Sequence, residues 1–325
     1  MTARGVPGAP ARVAAALTRV STIALSTYRE AVRARVLLSV FALGLATCAY
    51  SLIVASLSLH NEERVVADLG GASLSFFGVV IAIVLGSTSL YREVEYKTVF
   101  PILSRPIRRW EYLVGKYVGT VLTVVVFTGI EGATVLLLLA LEAGASLSTI
   151  GAVALGCFAV LIATMLRFRR IGVFIAIPWS IAIAAIAWTM SSWSAGERQL
   201  VTVTAILAIF EVSIVAAVAT LFASFSSPFL TATFTFLVFV IGRSADSLAH
   251  LPAKTFGSHV AAAGRVLARI FPNLHPYVPA RSLLLGQLAD QHVWSYVGSA
   301  GLYAAAYATA LLVVGALAFS KRDFS

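Results

Sequence analysis

The chain has 325 residues, of which 59% are hydrophobic and 12% charged, and it carries a formal net charge of +10. A soluble globular domain has about 25% charged residues, so this balance excludes an ordinary water-soluble fold. The positive residues gather at the ends of apolar runs, which speaks for membrane orientation and against nucleic-acid binding.

Ala11–Arg35 predicts an amphipathic helix. Arginines recur along it, and Val13, Leu17, Val20, Ala24 and Tyr28 follow at helical spacing, so it would lie on the inner leaflet. A disordered basic tail is the alternative. The stretch is too long and too often broken by arginine for a cleaved signal peptide, and the first apolar run is of full spanning length.

Eight runs then follow: Val36–Leu59, Ser73–Leu90, Tyr112–Leu141, Thr149–Leu166, Ile171–Ser191, Leu200–Ala223, Phe229–Gly242 and Val293–Phe319. About 20 helical residues cross about 30 Å of hydrocarbon, and a helix satisfies its own backbone there. The third run is long and the seventh short; six spans is the alternative count. Cys48 and Cys157 fall inside apolar runs and read as buried thiols. In the loop 243–292, Ser258 is placed to cap an amphipathic, outer or re-entrant helix running to Phe271, where Pro272 stops it. The fold class is therefore all-α, a polytopic membrane helical bundle in one domain spanning 1–325.

Seventeen of the 24 Lys and Arg residues fall on one side if the N-terminus is cytosolic. That asymmetry predicts a multi-pass protein of the inner membrane with both termini in the cytosol, and 243–292 outside. All five histidines, His60, His250, His259, His275 and His292, then lie outside, at spacings that match no metal motif.

The most informative stretch is 91–120, YREVEYKTVFPILSRPIRRWEYLVGKYVGT. Glu93, Glu95, Arg105, Arg108, Arg109 and Glu111 alternate with Val99, Phe100, Ile102, Leu103 and Trp110. A plain connection between helices takes about two to eight residues. This longer one either docks a partner or anchors its two spans at the interface. Gly115 and Gly119 make a small-xxx-small pair suited to close helix packing.

These residues resemble the permease subunits of type-2 ABC exporters, including the multicopper-enzyme-maturation branch. The resemblance rests on Arg92-Glu93, Ser104-Arg105-Pro106-Ile107-Arg108-Arg109, then Leu113, Gly115-Lys116 and Gly119. It extends to Tyr28-Arg29-Glu30, Ser224-Phe225-Ser226-Ser227-Pro228, Ile241-Gly242, Phe271-Pro272-Asn273-Leu274 and the closing Phe319–Phe324. Two features depart from it. Tyr96-Lys97-Thr98 keeps only the threonine of a glycine–threonine pair, and Thr149–Ser191 looks like an added pair of spans.

The resemblance implies a cytosolic coupling helix over 91–111, within a coupling segment 91–116, seated in a separate ATPase. Glu93, Glu95, Thr98, Phe100, Arg105, Pro106, Arg108 and Trp110 would make the contacts, with Gly115, Lys116 and Gly119 as a flexible entry to the third span. It also implies a homodimer or heterodimer of permeases. No phosphate-binding loop is present: Lys116, the lysine that follows a glycine, is followed by Tyr117. ATP and Mg would belong to the partner, with no cofactor on this chain, and membrane lipid completes its surroundings. Glu131 and Glu211, deep in apolar runs, are either substrate-path or gate groups or structural carboxyls bonded to Ser/Thr. A stand-alone secondary transporter using those two acids, and an integral membrane enzyme, are the competing functions. The missing inverted repeat weighs against the first, and the lack of a catalytic constellation against the second.

Overall fold

The computed structural model describes residues 9–58, 60–95, 108–169, 171–287 and 292–320. All regular structure among them is helical. In chain order the helices are α1 (Ala9–Arg33), α2 (Arg35–Ala55), α3 (Glu62–Glu95), α4 (Arg109–Glu142), α5 (Leu147–Arg167), α6 (Gly172–Met190) and α7 (Ala195–Ala223). Then come α8 (Pro228–Arg243), α9 (Ala245–Ala249), α10 (Ala253–Phe256), α11 (Ser258–Ile270), α12 (Arg281–Leu284) and α13 (Val293–Ser320), with a 3₁₀ turn at His275–Tyr277. Seven of them, α2 to α7 and α13, are long and apolar enough to cross a membrane, and α8 is a shorter apolar helix of 16 residues. The eight predicted spans thus each correspond to a helix.

Local chemistry sets the ends. Ser146 accepts a hydrogen bond from the Thr149 N–H at 3.2 Å and starts α5. Pro228 opens α8, where its missing N–H costs nothing. At the end of α4, Gly144 adopts φ +98, and the Ala145 N–H bonds back to the Ala140 carbonyl at 3.0 Å. That left-handed stop needs a glycine and turns the chain straight into α5.

Two expected boundaries shift. The gap between the first two runs, His60–Ala72, reads from the sequence as a short outer loop, yet α3 begins at Glu62. Glu62 and Glu63 in its first turn suit the positive end of the helix dipole, and Arg64 pairs with Asp68 one turn on at 3.6 Å. Ser258 is the first residue of α11 and does not cap it; Gly257, at φ +85, takes that place.

The centre of the bundle is α3, α4 and α7, with α2, α6, α8 and α13 around them. Helices α3 and α7 run parallel and touch through glycines. A Cβ on Gly71 would meet Thr204 at 3.2 Å, one on Gly78 would meet Val212 at 3.2 Å, and one on Gly86 would meet Ala219 at 2.5 Å. Backbones approach this closely only where side chains are missing, and dispersion between them is what holds helices together in lipid. Helix α5 stands at the periphery, with Leu147, Leu155, Val160 and Leu166 exposed.

Helix α1 does not lie free. Ala24, Thr27, Tyr28 and Ala31 are buried, while Val13 and Leu17 are exposed. Contacts of Arg19 with Glu111, Ile23 with Gly115 and Thr27 with Gly119 keep one constant offset along the chain, so α1 runs parallel to the first turns of α4. The Tyr28 hydroxyl donates to the Val173 carbonyl at 3.3 Å, and burial pushes it up to about 12, so it stays neutral.

Candidate functional site

The foot of α4 directly follows the segment singled out in the sequence. Glu111 in the first turn is 1% exposed. Its carboxylate accepts from the Arg108 N–H at 3.1 Å, closing the helix start. It also accepts a fork from Arg19 of α1, with Nε to Oε2 at 2.8 Å and Nη2 to Oε1 at 2.7 Å. Two parallel charge-assisted bonds fix direction as well as distance. Lys116, buried one turn further, pairs with Glu30 at 3.5 Å.

Gly115 and Gly119 are the seat for α1. A Cβ on Gly115 would come within 2.6 Å of Ile23, and one on Gly119 within 2.6 Å of the Ala24 carbonyl oxygen and of Thr27. Both residues sit inside the first turns of α4 and pack closely against α1. The end of the chain meets the same place. Arg109 donates to the carbonyls of Phe319 and Ser320, at 3.2 and 2.9 Å, and so caps α13. Tyr112 stacks on Phe319 with ring centroids 6.4 Å apart. Trp110 points outward, 41% exposed.

Glu93 and Glu95 belong to the last turn of α3. Thr98, Phe100, Arg105 and Pro106 lie outside the described residues. Beside the end of α3, a recess of about 550 Å³ opens between Thr88 and Ser89 and the Arg29, Glu30 and Arg33 side of α1.

The two intramembrane acids flank α3. Ser73 donates to Glu131 Oε1 at 2.8 Å, and the Cys48 thiol lies 3.7 Å from the same oxygen. Gly44 leaves room for it: a Cβ there would stand 3.0 Å from Oε1. The other oxygen, Oε2, is buried with no partner among the described residues. Ser75, two residues on, donates to Glu211 Oε2 at 2.7 Å. Arg243 forks the same carboxylate, Nε to Oε1 at 2.5 Å and Nη2 to Oε2 at 2.8 Å, and Nη2 also reaches Ser75 Oγ at 2.6 Å. Both glutamates are fully buried. An intramembrane charge demands such a partner, and sequence reasoning had left Arg243 as an outer-loop residue.

Arg243 ends the short helix α8 at the level of the middle of α7. The chain then folds back over it: the Leu274 N–H bonds to the Gly242 carbonyl at 2.9 Å. The 272–286 stretch is pinned by Tyr277 donating to the Ala300 carbonyl at 3.0 Å and by Gln199 donating to the Leu284 carbonyl at 3.1 Å. Arg281 ties Asp68 of α3 to Glu197 of α7. A cleft of about 320 Å³ runs from Asp68 and Arg281 at its rim to Ser75 and Arg243 at its floor. Among the described residues, no three of His, Cys, Asp and Glu come together as a metal site would need.

The family described as ABC-2 family transporter protein matches residues 14–324. The match is to the family as a whole and singles out no branch of it. No curated protein matches the chain.

Proposed function

Since this chain belongs to the ABC-2 family of transporter proteins over nearly its whole length, and is a multi-pass membrane protein, we propose that it is the permease subunit of an exporter driven by a separate ATPase. The ATPase seats on the 91–111 segment, on the side of the inner membrane that carries both termini, and two permeases work with two ATPases. The observation that carries this reading is the clamp at the foot of α4. The segment leaves α3 at Glu95 and re-enters at Arg109, and the next turn is forked to α1 by Arg19 and Glu111. A push on the segment therefore reaches two helices at once.

Exposed ion pairs contribute only about 0–1 kcal/mol each, so docking needs several charges together with apolar anchors such as Phe100 or Trp110. Interface anchors of that kind carry most of a binding energy. Glu93→Lys with Glu95→Lys should lower co-purification of the ATPase and the transport it drives, while the permease still inserts. The reading falls if both stay at wild-type levels, or if the purified chain transports with no nucleotide-binding subunit present. Labelling from the outer side of intact cells at a single cysteine placed at 97 or 169, with Cys48 and Cys157 replaced, would overturn the orientation.

A further inference from the structure

A groove of about 270 Å³ runs between α4, α6 and α7, away from both sites above. Its floor is made of missing side chains. Gly129 of α4 faces Ser180 of α6, Gly132 faces Ala205 of α7, and Ala184 and Ile209 also line the groove. A Cβ on Gly132 would meet only Ala205, at 3.9 Å. Trp188 stands at the mouth, 45% exposed.

The mouth also holds a charge. Arg198 lies one turn before Thr202, which lines the groove and bonds back to the Arg198 carbonyl at 2.8 Å. Its guanidinium stacks on the Trp188 ring, 4.0 Å from the centroid, and donates to the Trp188 carbonyl at 3.3 Å. No carboxylate among the described residues pairs with it. A guanidinium stacked on an aromatic face keeps in-plane donors for a phosphate.

Length decides the occupant. From Arg198 to Ile209 the helix rises about 17 Å, close to half of the roughly 30 Å hydrocarbon thickness. The groove thus spans one leaflet, with a cation at its headgroup end and an apolar trough toward the midplane.

We propose that this groove binds one phospholipid of the leaflet on the Trp188 side, its phosphate on Arg198 and one acyl chain along Gly132, Ala184 and Ala205. A second copy of this chain would need no cation at the mouth. The proposal rests on the membrane fold alone, so its failure leaves the ATPase reading untouched, and the reverse holds too.

The test is native mass spectrometry of the full chain extracted in mild detergent and titrated with phosphatidylglycerol. One phospholipid per chain should survive delipidation. Arg198→Gln and Ala184→Phe should each reduce its occupancy about tenfold, the scale of one charge-assisted contact or of a filled trough. A phospholipid with brominated acyl chains should quench Trp fluorescence, and Trp188→Phe should abolish most of that quenching. Equal occupancy in wild type and Arg198→Gln overturns the proposal, and since Arg198 lies at the surface, that variant decides even if Ala184→Phe fails to fold. High-yield cross-linking between cysteines placed at Ile181 in two copies, with no retained lipid, overturns it as well, because the groove is then a subunit contact.

Discussion

Replacing Gly119 by alanine adds one methyl group where α1 lies closest to α4. The added carbon would sit 2.6 Å from the Ala24 carbonyl oxygen and 2.6 Å from the Thr27 Cβ, against 3.4 Å for ordinary contact. The first of these is backbone, so no rotamer change relieves it, and α1 must withdraw by about 0.8 Å. Overpacking of this kind costs about 1–3 kcal/mol. Alanine also favours a helix interior over glycine by about 1 kcal/mol. That gain is the same whether α1 is docked or not, because α4 stays helical in both states, so it drops out of the docking equilibrium.

Hydrogen exchange of the α1 amides in detergent or nanodiscs reads that equilibrium directly. Between residues 20 and 30, Gly119→Ala should exchange about 5- to 150-fold faster, the equivalent of 1–3 kcal/mol. Gly151→Ala in α5 is the control: nothing lies within 4 Å of the added carbon, so α1 exchange should not change. Unchanged α1 exchange in Gly119→Ala would refute the seat, and with it the idea that α1 braces the foot of α4.

Other outcomes follow from the ion pairs. Arg243→Met strands a fully buried carboxylate at Glu211 and should cost about 3–5 kcal/mol, whereas the double variant with Glu211→Leu should recover much of that loss in thermal unfolding. No recovery in the double variant would mean that the pair does not act as a unit. Arg281→Ala removes two rim contacts, each worth about 0–1 kcal/mol. It should speed exchange of 272–286 by no more than about 30-fold, the equivalent of about 2 kcal/mol, since the Tyr277 and Gln199 bonds remain.

The spans were legible because length and apolar composition alone decide them: every run of the sequence has its helix, and even the short α8 keeps its own. The early start of α3 was not legible. Glu62, Glu63 and Asp68 look like loop charges until one sees that a helix can project them beyond the hydrocarbon. The partner of α1 was half-legible. Gly115-xxx-Gly119 announces a close neighbour, but any of several helices fits that signal, and the choice came from Arg19 meeting Glu111 across the fold. Ser73 and Ser75 carried almost no signal, since a serine in an apolar run commonly bonds to its own helix. Arg243 carried one that was missed: an arginine closing a short span is at the right depth to answer a lone glutamate in the preceding helix.

Two blocks of helices share one core, and Glu131 lies on the seam where they meet, near Gly70 of α3, on which a Cβ would stand 2.6 Å from Val135 of α4. Helices α3 and α7 are locked by glycines along their whole shared length, and Arg243 forks α8 onto them. Helices α1 and α4 form the other block, through the Gly115–Gly119 seat and the Arg19–Glu111 fork. The 96–107 stretch joins the end of α3 to the start of α4, so a force applied there acts between the blocks. Across the seam the polar links are hydroxyls, Ser73 on Glu131 Oε1 and Tyr117 of α4 with Ser213 of α7, each worth about 1 kcal/mol net and exchangeable during a cycle where a buried ion pair is not. Glu131→Gln keeps the oxygen that accepts from Ser73 and removes the ability to carry charge. It should leave assembly and folding at wild-type levels and lower substrate-stimulated ATP hydrolysis and transport. Wild-type transport in Glu131→Gln would show that the residue only fills and bonds the seam, and the two blocks would then have to move without it.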